Sequence, residues 1–166
     1  MHKINIDREL LFQQYKLNIE MADRVSQRRA DTNKFYIALI GSLLTYVITI
    51  LKEKTLMECV LLIFMFGVLG IALALIWYLN IKSYRRLNTA KFEVITQQEQ
   101  LLPDQSFTKE WQILDSIDGG SKKHITLTKV ESCIPCILSI PFIGMVLYSL
   151  FYWTQILIGY LSTLTK

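Results

Sequence analysis

Residues 59–79 read CVLLIFMFGVLGIALALIWYL, a run of 21 residues without a charged side chain. Two further uncharged runs have 17 residues at 35–51 (FYIALIGSLLTYVITIL) and 29 residues at 133–161 (CIPCILSIPFIGMVLYSLFYWTQILIGYL). A helix spans the hydrocarbon core of a bilayer with roughly 20 apolar residues, and about 17 to 25 are tolerated. Each run is long enough to cross, so the sequence predicts an all-α, three-pass transmembrane helical protein.

The polar segments are too short to form a separate soluble domain. Hydrophobic residues make up 52% of the chain, and the mean hydropathy is +0.32. Independent domains usually contain roughly 100–150 residues, more than either polar segment has. We therefore expect one membrane domain over 1–166, made of a cytoplasmic helix at 1–34, spans at 35–51, 59–79 and 133–161, and a cytoplasmic lobe at 82–131.

Basic residues are distributed unevenly along the chain. Seven precede the first run and eight lie between the second and third, but only two lie between the first and second and one follows the third. Because Lys and Arg are enriched on the cytoplasmic side of membrane proteins, we expect an N-in, C-out arrangement. Acidic residues interrupt the bases before the first span, so we do not expect nucleic-acid binding.

The segment at 6–34 is predicted to be helical, since neither Gly nor Pro interrupts it. Its seam recurs at spacings of four and three residues and consists of Leu11, Tyr15, Asn18, Ala22 and Val25. Such spacing is typical of a helix that packs along a second helix. Two interpretations remain open: the seam packs on the chain's own cytoplasmic lobe, or it joins copies of the chain.

The cytoplasmic lobe is predicted to contain two more helical segments. Residues 82–102 continue the second span as a helix, which Pro103 and Asp104 end. A short helix is expected over 107–117, with Trp111 and Leu114 buried.

Small and hydroxylated residues follow one face of the first span. Ala38, Ser42, Thr45 and Thr49 are spaced by four, three and four residues. Small residues let membrane helices approach closely, and their hydroxyls can bond across the contact. The same stripe could line a water-filled path when several copies surround an axis. The sequence leaves both interpretations open and makes Ser42, Thr45 and Thr49 the pore-lining candidates.

The second span carries a small-residue contact pattern at Gly70-x-x-x-Ala74. Trp77 and Tyr78 follow at its cytoplasmic end. Aromatic rings favour the membrane–water interface, so these two side chains are predicted to anchor the span there.

The third span begins with a second set of signals. Thr128 followed by Glu131, just ahead of an apolar run, is typical of a capping box, in which each residue's side chain bonds the other's backbone N–H. Pro135 then removes a backbone hydrogen bond and predicts a bent helix. An alternative starts the helix near Ser132 and leaves Pro135 in its first turn.

No chemistry of an enzyme or a metalloprotein is predicted. Cys133 and Cys136 have C-x-x-C spacing and His124 precedes them, but they open a membrane span with no second ligand pair. We interpret both cysteines as small residues in a helix contact and expect neither metal nor cofactor. The chain lacks nucleophile-elbow, zinc-protease and phosphate-loop motifs. The three runs also lack the intramembrane charges usual in transporters.

Two stretches resemble one family, the RipA-family octameric membrane proteins of bacteria. The first is residues 11–36 (LFQQYKLNIEMADRVSQRRADTNKFY), with Tyr-Lys, then Glu-Met-Ala-Asp-Arg, then Ser with paired bases, then Asn and aromatics. The second is Trp111 followed by Leu-Thr-x-Val-Glu-x-x-x-Pro at 127–135. The Cys-Ile-Pro-Cys segment departs from the bulky residues that the family places there.

The resemblance implies a homo-oligomer, octameric, in the bacterial inner (cytoplasmic) membrane, with a role in defence against phage through membrane permeabilisation. A phage-encoded protein is one trigger it would fit. The cytoplasmic motif carries over to Tyr15, Lys16, Glu20, Met21, Asp23, Arg24, Ser26, Arg28 and Arg29, and the start of the third span to Thr128, Glu131 and Pro135. Glu20, Asp23, Arg24 and Arg28 share one helix surface, which suits pairing between copies or simple solvation.

Three functions are therefore open at this stage. The first is an antiviral effector that assembles in the bilayer and opens a leak. The second is a non-conducting scaffold that recruits a cytoplasmic partner through its basic helices. The third is an accessory subunit of a channel or transporter.

Overall fold

The computed structural model describes residues 2–53, 56–103, 105–117 and 127–164. Four helices account for nearly all of these residues: α1 (His2–Glu53), α2 (Leu56–Glu99), α3 (Ser106–Ile117) and α4 (Leu127–Leu164). The described ranges contain no strand. The all-α fold expected from the sequence is confirmed.

Three of the four helices, α1, α2 and α4, are long and apolar enough to cross a membrane. Each contains one of the uncharged runs found in the sequence, because those runs supply the required length of apolar residues. The three-pass architecture is confirmed, whereas the N-in, C-out orientation stays a prediction.

The spans and the helices outside them are continuous rather than separate elements. α1 covers both 1–34 and 35–51 except for Met1, and α2 runs from the second span to Glu99. No proline occurs in either helix, so nothing stops the backbone ladder at the end of a span. α2 ends three residues before the predicted position, where the backbone N–H groups of Leu101 and Leu102 bond the carbonyls three residues earlier at 3.1 and 3.0 Å.

The chain divides into two compact units. Unit 1 consists of Met1–Asp31 and Ile81–Lys129, and unit 2 of Thr32–Asn80 and Val130–Lys166. The three uncharged runs belong to unit 2. Unit 1 holds the polar parts of α1 and α2 together with α3, which begins at Ser106, one residue before the predicted start. The predicted burial of Trp111 and Leu114 concerns side chains outside the described residues.

Unit 2 is held together by a close contact between α2 and α4. A Cβ added at Gly67 would come within 2.7 Å of Val146 Cγ2, and one added at Gly70 would meet the ring of Phe142. The Ser149 hydroxyl contacts the carbonyl of Val60 at 3.2 Å across the same interface. Glycine therefore lets the backbone of α2 approach the side chains of α4, as small residues do in membrane helices.

Helix α4 carries both prolines in its interior. It begins at Leu127, so Pro135 is not in the first turn, and the alternative start near Ser132 is wrong. The physical reason is that Leu127–Val130 already adopt helical geometry ahead of the apolar run. Pro135 is fully buried, whereas Pro141 is exposed. The predicted capping role of Thr128 concerns a side chain outside the described residues.

Candidate functional site

The hydroxyl stripe, defined as Ser42, Thr45 and Thr49, lies on an exposed side of α1. Each hydroxyl donates a hydrogen bond to the carbonyl four residues earlier, Ser42 to Ala38 at 2.8 Å, Thr45 to Gly41 at 2.9 Å and Thr49 to Thr45 at 2.9 Å. These bonds satisfy the hydroxyl protons inside the helix. Helix α1 can therefore carry three polar groups into a bilayer without a donor or acceptor from α2 or α4.

The opposite side of α1 makes the contacts within unit 2. Ile40 and Val47 are 0% and 2% exposed, and Tyr46 packs edge-on against Phe66 with 5.4 Å between ring centroids. The hydroxyl stripe therefore does not mediate helix packing inside one copy. Contact between copies and lining of a polar path remain as its interpretations.

The N-terminal motif is spread around α1 rather than gathered in one cluster. Arg24 and Glu20 form an ion pair of 2.7 Å with side chains 67% and 55% exposed. An exposed pair one helical turn apart contributes only about 0.2–0.5 kcal/mol to helix stability. Of the remaining candidates, two are exposed and two half-buried, namely Asp23 and Arg28, and Tyr15 and Arg29.

A buried carboxylate in unit 1 binds three elements together, and we call this group the Glu99 cluster. Glu99 is 0% exposed at the end of α2. Its oxygens accept hydrogen bonds from the N–H groups of Phe107 and Thr108 at 2.7 and 3.0 Å, and from the Thr108 hydroxyl at 2.8 Å. The Tyr15 hydroxyl of α1 donates a fourth bond at 3.3 Å. Glu99 thereby caps the first turn of α3 from a different helix.

The charge of Glu99 is held by these donors. Burial alone would raise the pKa of the Glu99 carboxyl, but the bonds from Phe107, Thr108 and Tyr15 outweigh it and leave the pKa below its ordinary value. Glu99 lies 20 residues beyond Leu79, about 30 Å along a helix from the end of the uncharged run. The cluster is thus an ionised group outside the membrane spans.

The predicted seam of α1 packs on α2 inside unit 1. Ala22 and Val25 are buried together with Ile95, and polar pairs flank them. The Asn18 amide donates to Gln98 at 2.8 Å, and Asn88 donates to Ser26 at 3.4 Å, as expected for antiparallel helices. The own-lobe interpretation of the seam is confirmed, so any contact between copies must use other faces of α1.

Trp77 does not anchor the second span at the lipid interface as predicted. Its side chain is 0% exposed, its ring stacks on Tyr36 with centroids 5.8 Å apart, and its indole N–H donates to Asn33 at 2.9 Å. The Asn80 amide donates to the Tyr36 hydroxyl at 3.0 Å. The sequence could not reveal this arrangement, because an interfacial tryptophan and one turned toward a neighbouring helix have the same local sequence.

The two cysteines at the start of the third span do not pack as predicted. Cys133 and Cys136 are free and exposed, and the Cys136 thiol lies 3.7 Å from the Ser132 carbonyl of its own helix. The interpretation as residues of a helix contact is therefore wrong within one copy. Glu131 is half-buried and Pro135 is buried, so these two candidates do face the interior of the chain.

A family model matches residues 12–151, and its description is the octameric membrane protein family (8xMP). The match covers far more than half of the 166 residues. The chain belongs to this family. The matched range contains the N-terminal motif, the hydroxyl stripe, the Glu99 cluster and the start of the third span. No match to the chain was found among curated proteins or among solved structures.

Membership of the octameric membrane protein family agrees with the three apolar helices. The expectations of an octameric homo-oligomer and of a multi-pass membrane protein are confirmed. The family supplies what one copy cannot, namely a reason for surfaces of unit 2 that expose polar groups or small side chains.

Sequence reasoning missed the polar residues that connect the helices. Glu99, Asn33 and Asn80 looked like ordinary polar positions in helical segments. One signal was present for Glu99: it lies in the last turn of α2, shortly before a proline and a helix start, where unbonded N–H groups need an acceptor.

Proposed function

We propose that the protein is a bacterial anti-phage effector that assembles as a homo-octamer in the inner membrane and permeabilises that membrane during infection. The proposal rests on the resemblance of residues 11–36 to the N-terminal motif of the RipA-family proteins, together with membership of an octameric membrane family. The activity requires no catalytic residue and no cofactor. A phage-encoded protein acting on the assembly is the proposed trigger.

The hydroxyl stripe is the observation that carries the permeation step. Its three side chains are exposed in one copy, while the apolar residues Ile40 and Val47 on the other side of the same helix are buried. A helix that contacted only lipid on its exposed side would gain nothing from three hydroxyls there. Eight copies arranged around an axis would place the stripe as rings of oxygen atoms along a polar path.

The test removes the hydroxyls without changing side-chain size appreciably. In the triple variant Ser42→Ala, Thr45→Val and Thr49→Val, potassium efflux and uptake of an impermeant DNA dye are measured in bacteria with and without phage. We expect leakage only during infection for the parent chain and about a tenfold smaller leak for the variant, since each lost oxygen removes a ligand that replaces ion hydration.

A matched control replaces a hydroxyl on another helix. Thr154 of α4 is also exposed and donates to the Phe151 carbonyl at 2.7 Å. Thr154→Val should leave leakage unchanged, and both variants should remain octameric by native mass measurement. An undiminished leak in the triple variant would refute the stripe as lining. Undiminished phage protection with a sealed membrane would instead favour the non-conducting scaffold.

A further inference from the structure

Helix α3 covers one side of the α1–α2 pair in unit 1. The ring of Phe107 packs against Phe92 with 6.4 Å between centroids, and the Glu99 cluster fixes the first turn of α3 at the end of α2. Side chains two residues apart on a helix point about 200° away from each other. Val94 therefore points to the side of α2 that is opposite to α3.

Apolar side chains of both helices are exposed on that opposite side. Leu17 and Met21 of α1 are 55% and 43% exposed, and Leu87 and Val94 of α2 are 44% and 46% exposed. The residues within each pair are separated by four or seven positions, so each pair lies on one stripe of its helix. We call these four residues the open face.

A groove shows that the two stripes belong to one surface. Asn18 of α1 lines an open groove of about 200 Å³ together with Leu87, Ala90, Lys91 and Val94 of α2. Asn18 and Met21 are neighbours three positions apart on α1, and Met21 and Leu17 are neighbours four apart. The open face thus runs along both helices, with Asn18 and Lys91 as polar groups at its centre line.

The open face projects beyond the hydrocarbon core. Helix α2 has 44 residues, which corresponds to about 66 Å of length, roughly twice the thickness of the hydrocarbon core of a bilayer. Val94 lies 15 residues beyond Leu79, about 22 Å along the helix from the end of the uncharged run. Four large apolar side chains are therefore presented where lipid tails do not cover them, and apolar patches of this kind mark contact sites.

We propose that the open face is the surface through which one copy of this chain docks on a second copy in the octamer. The family requires contacts among eight copies, and the seam of α1 is already used inside each copy. An apolar centre edged by polar groups is the usual composition of such an interface. In a closed ring the open face meets a different surface of the next copy. This proposal concerns assembly and does not depend on phage defence or permeation.

The first test places charges on the open face of the full chain. Met21→Glu combined with Val94→Glu should lower the octamer-to-smaller-species ratio of the purified protein by about tenfold or more, because a charge must be desolvated in an apolar contact. Gln97→Glu is the matched control, since Gln97 is exposed on the same helix three residues further along. Circular dichroism of each variant verifies that the helices are retained.

The second test leaves the octamer intact and measures what covers the face. Cys59, Cys133 and Cys136 are replaced by alanine, and single cysteines are introduced by Val94→Cys or Gln97→Cys. An impermeant maleimide should label the Val94→Cys octamer about tenfold more slowly than the Gln97→Cys octamer, and the two equally after dissociation into single copies. Equal labelling in the octamer would overturn the proposal. Slow labelling that persists after dissociation, or a double-Glu variant that stays octameric, would also overturn it.

Discussion

Replacing Glu99 with alanine removes the acceptor that attaches α3 to the rest of unit 1. Two backbone N–H groups, the Thr108 hydroxyl and the Tyr15 hydroxyl lose their partner, three of them bonded to the carboxylate at 3.0 Å or less. A hydrogen bond to a charged group contributes about 1.5–3 kcal/mol, and a lost N-cap costs about 0.5–2 kcal/mol. Because water can enter the vacated space and bond some donors, we expect a net loss of about 3 kcal/mol.

Hydrogen exchange of the α3 amides measures this loss directly. A change of about 3 kcal/mol corresponds to roughly a hundredfold faster exchange, since about 1.4 kcal/mol is a factor of ten. Peptides covering Ser106–Ile117 should show that acceleration in the octamer, while peptides from α4 do not. Glu93→Ala is the control, because Glu93 is exposed on the same helix and surface changes usually cost less than about 0.5 kcal/mol. Unchanged protection of α3 in Glu99→Ala would refute the capping role.

Acidification should reproduce the effect in the parent chain. The pKa of Glu99 is lowered in the folded protein, so its carboxylate contributes stability that is fully present above the pKa of an unfolded glutamate. This stability is lost as the pH falls through the folded-state pKa. Exchange in α3 should therefore accelerate on the acid side of the ordinary glutamate range, and the acceleration should be absent from Glu99→Gln, which cannot titrate. An equal pH dependence in both chains would count against Glu99.

The remaining predictions concern unit 2. Gly70→Val forces side-chain atoms into the ring that already fills the contact between α2 and α4, and overpacking of this kind costs about 1–3 kcal/mol. Thermal unfolding in detergent should occur at lower temperature, whereas Gly144→Val, with open space around its Cβ position, should have little effect. Trp77→Phe keeps the aromatic ring but leaves a buried amide oxygen without its donor, a loss of about 1–3 kcal/mol. Trp153→Phe at a 38% exposed position should be nearly neutral, and equal unfolding temperatures for the two tryptophan variants would contradict the buried bond.

Length and hydropathy were sufficient to predict the helical class and the three spans, because a bilayer imposes a fixed requirement on each crossing helix. The sequence did not predict that α1 and α2 continue unbroken through the ends of their spans. A change from apolar to polar residues looks like a boundary, but the backbone ladder responds only to residues that break it, and none does so there.

The candidate site was predicted less completely than the fold. Periodicity identified the seam of α1 and the hydroxyl stripe, since residues on one face of a helix share a spacing. It could not assign a partner to each face. The seam turned out to face α2 of the same copy, and Glu99 gained its partners from residues 84 positions away on α1 and from the turn before α3. Such contacts depend on the tertiary arrangement rather than on local spacing.

The hydrogen bonds of the hydroxyl stripe have a consequence for ion selectivity. Each proton of Ser42, Thr45 and Thr49 is committed to a carbonyl of its own helix, so the outward side of each oxygen offers lone pairs and no donor. In the proposed octameric pore, such oxygens would replace water around a cation and would repel an anion. Potassium would then cross more readily than chloride, and the reversal potential across a bilayer with unequal salt on its two sides would lie toward that of potassium. A reversal potential at the chloride value would mean that other groups line the path.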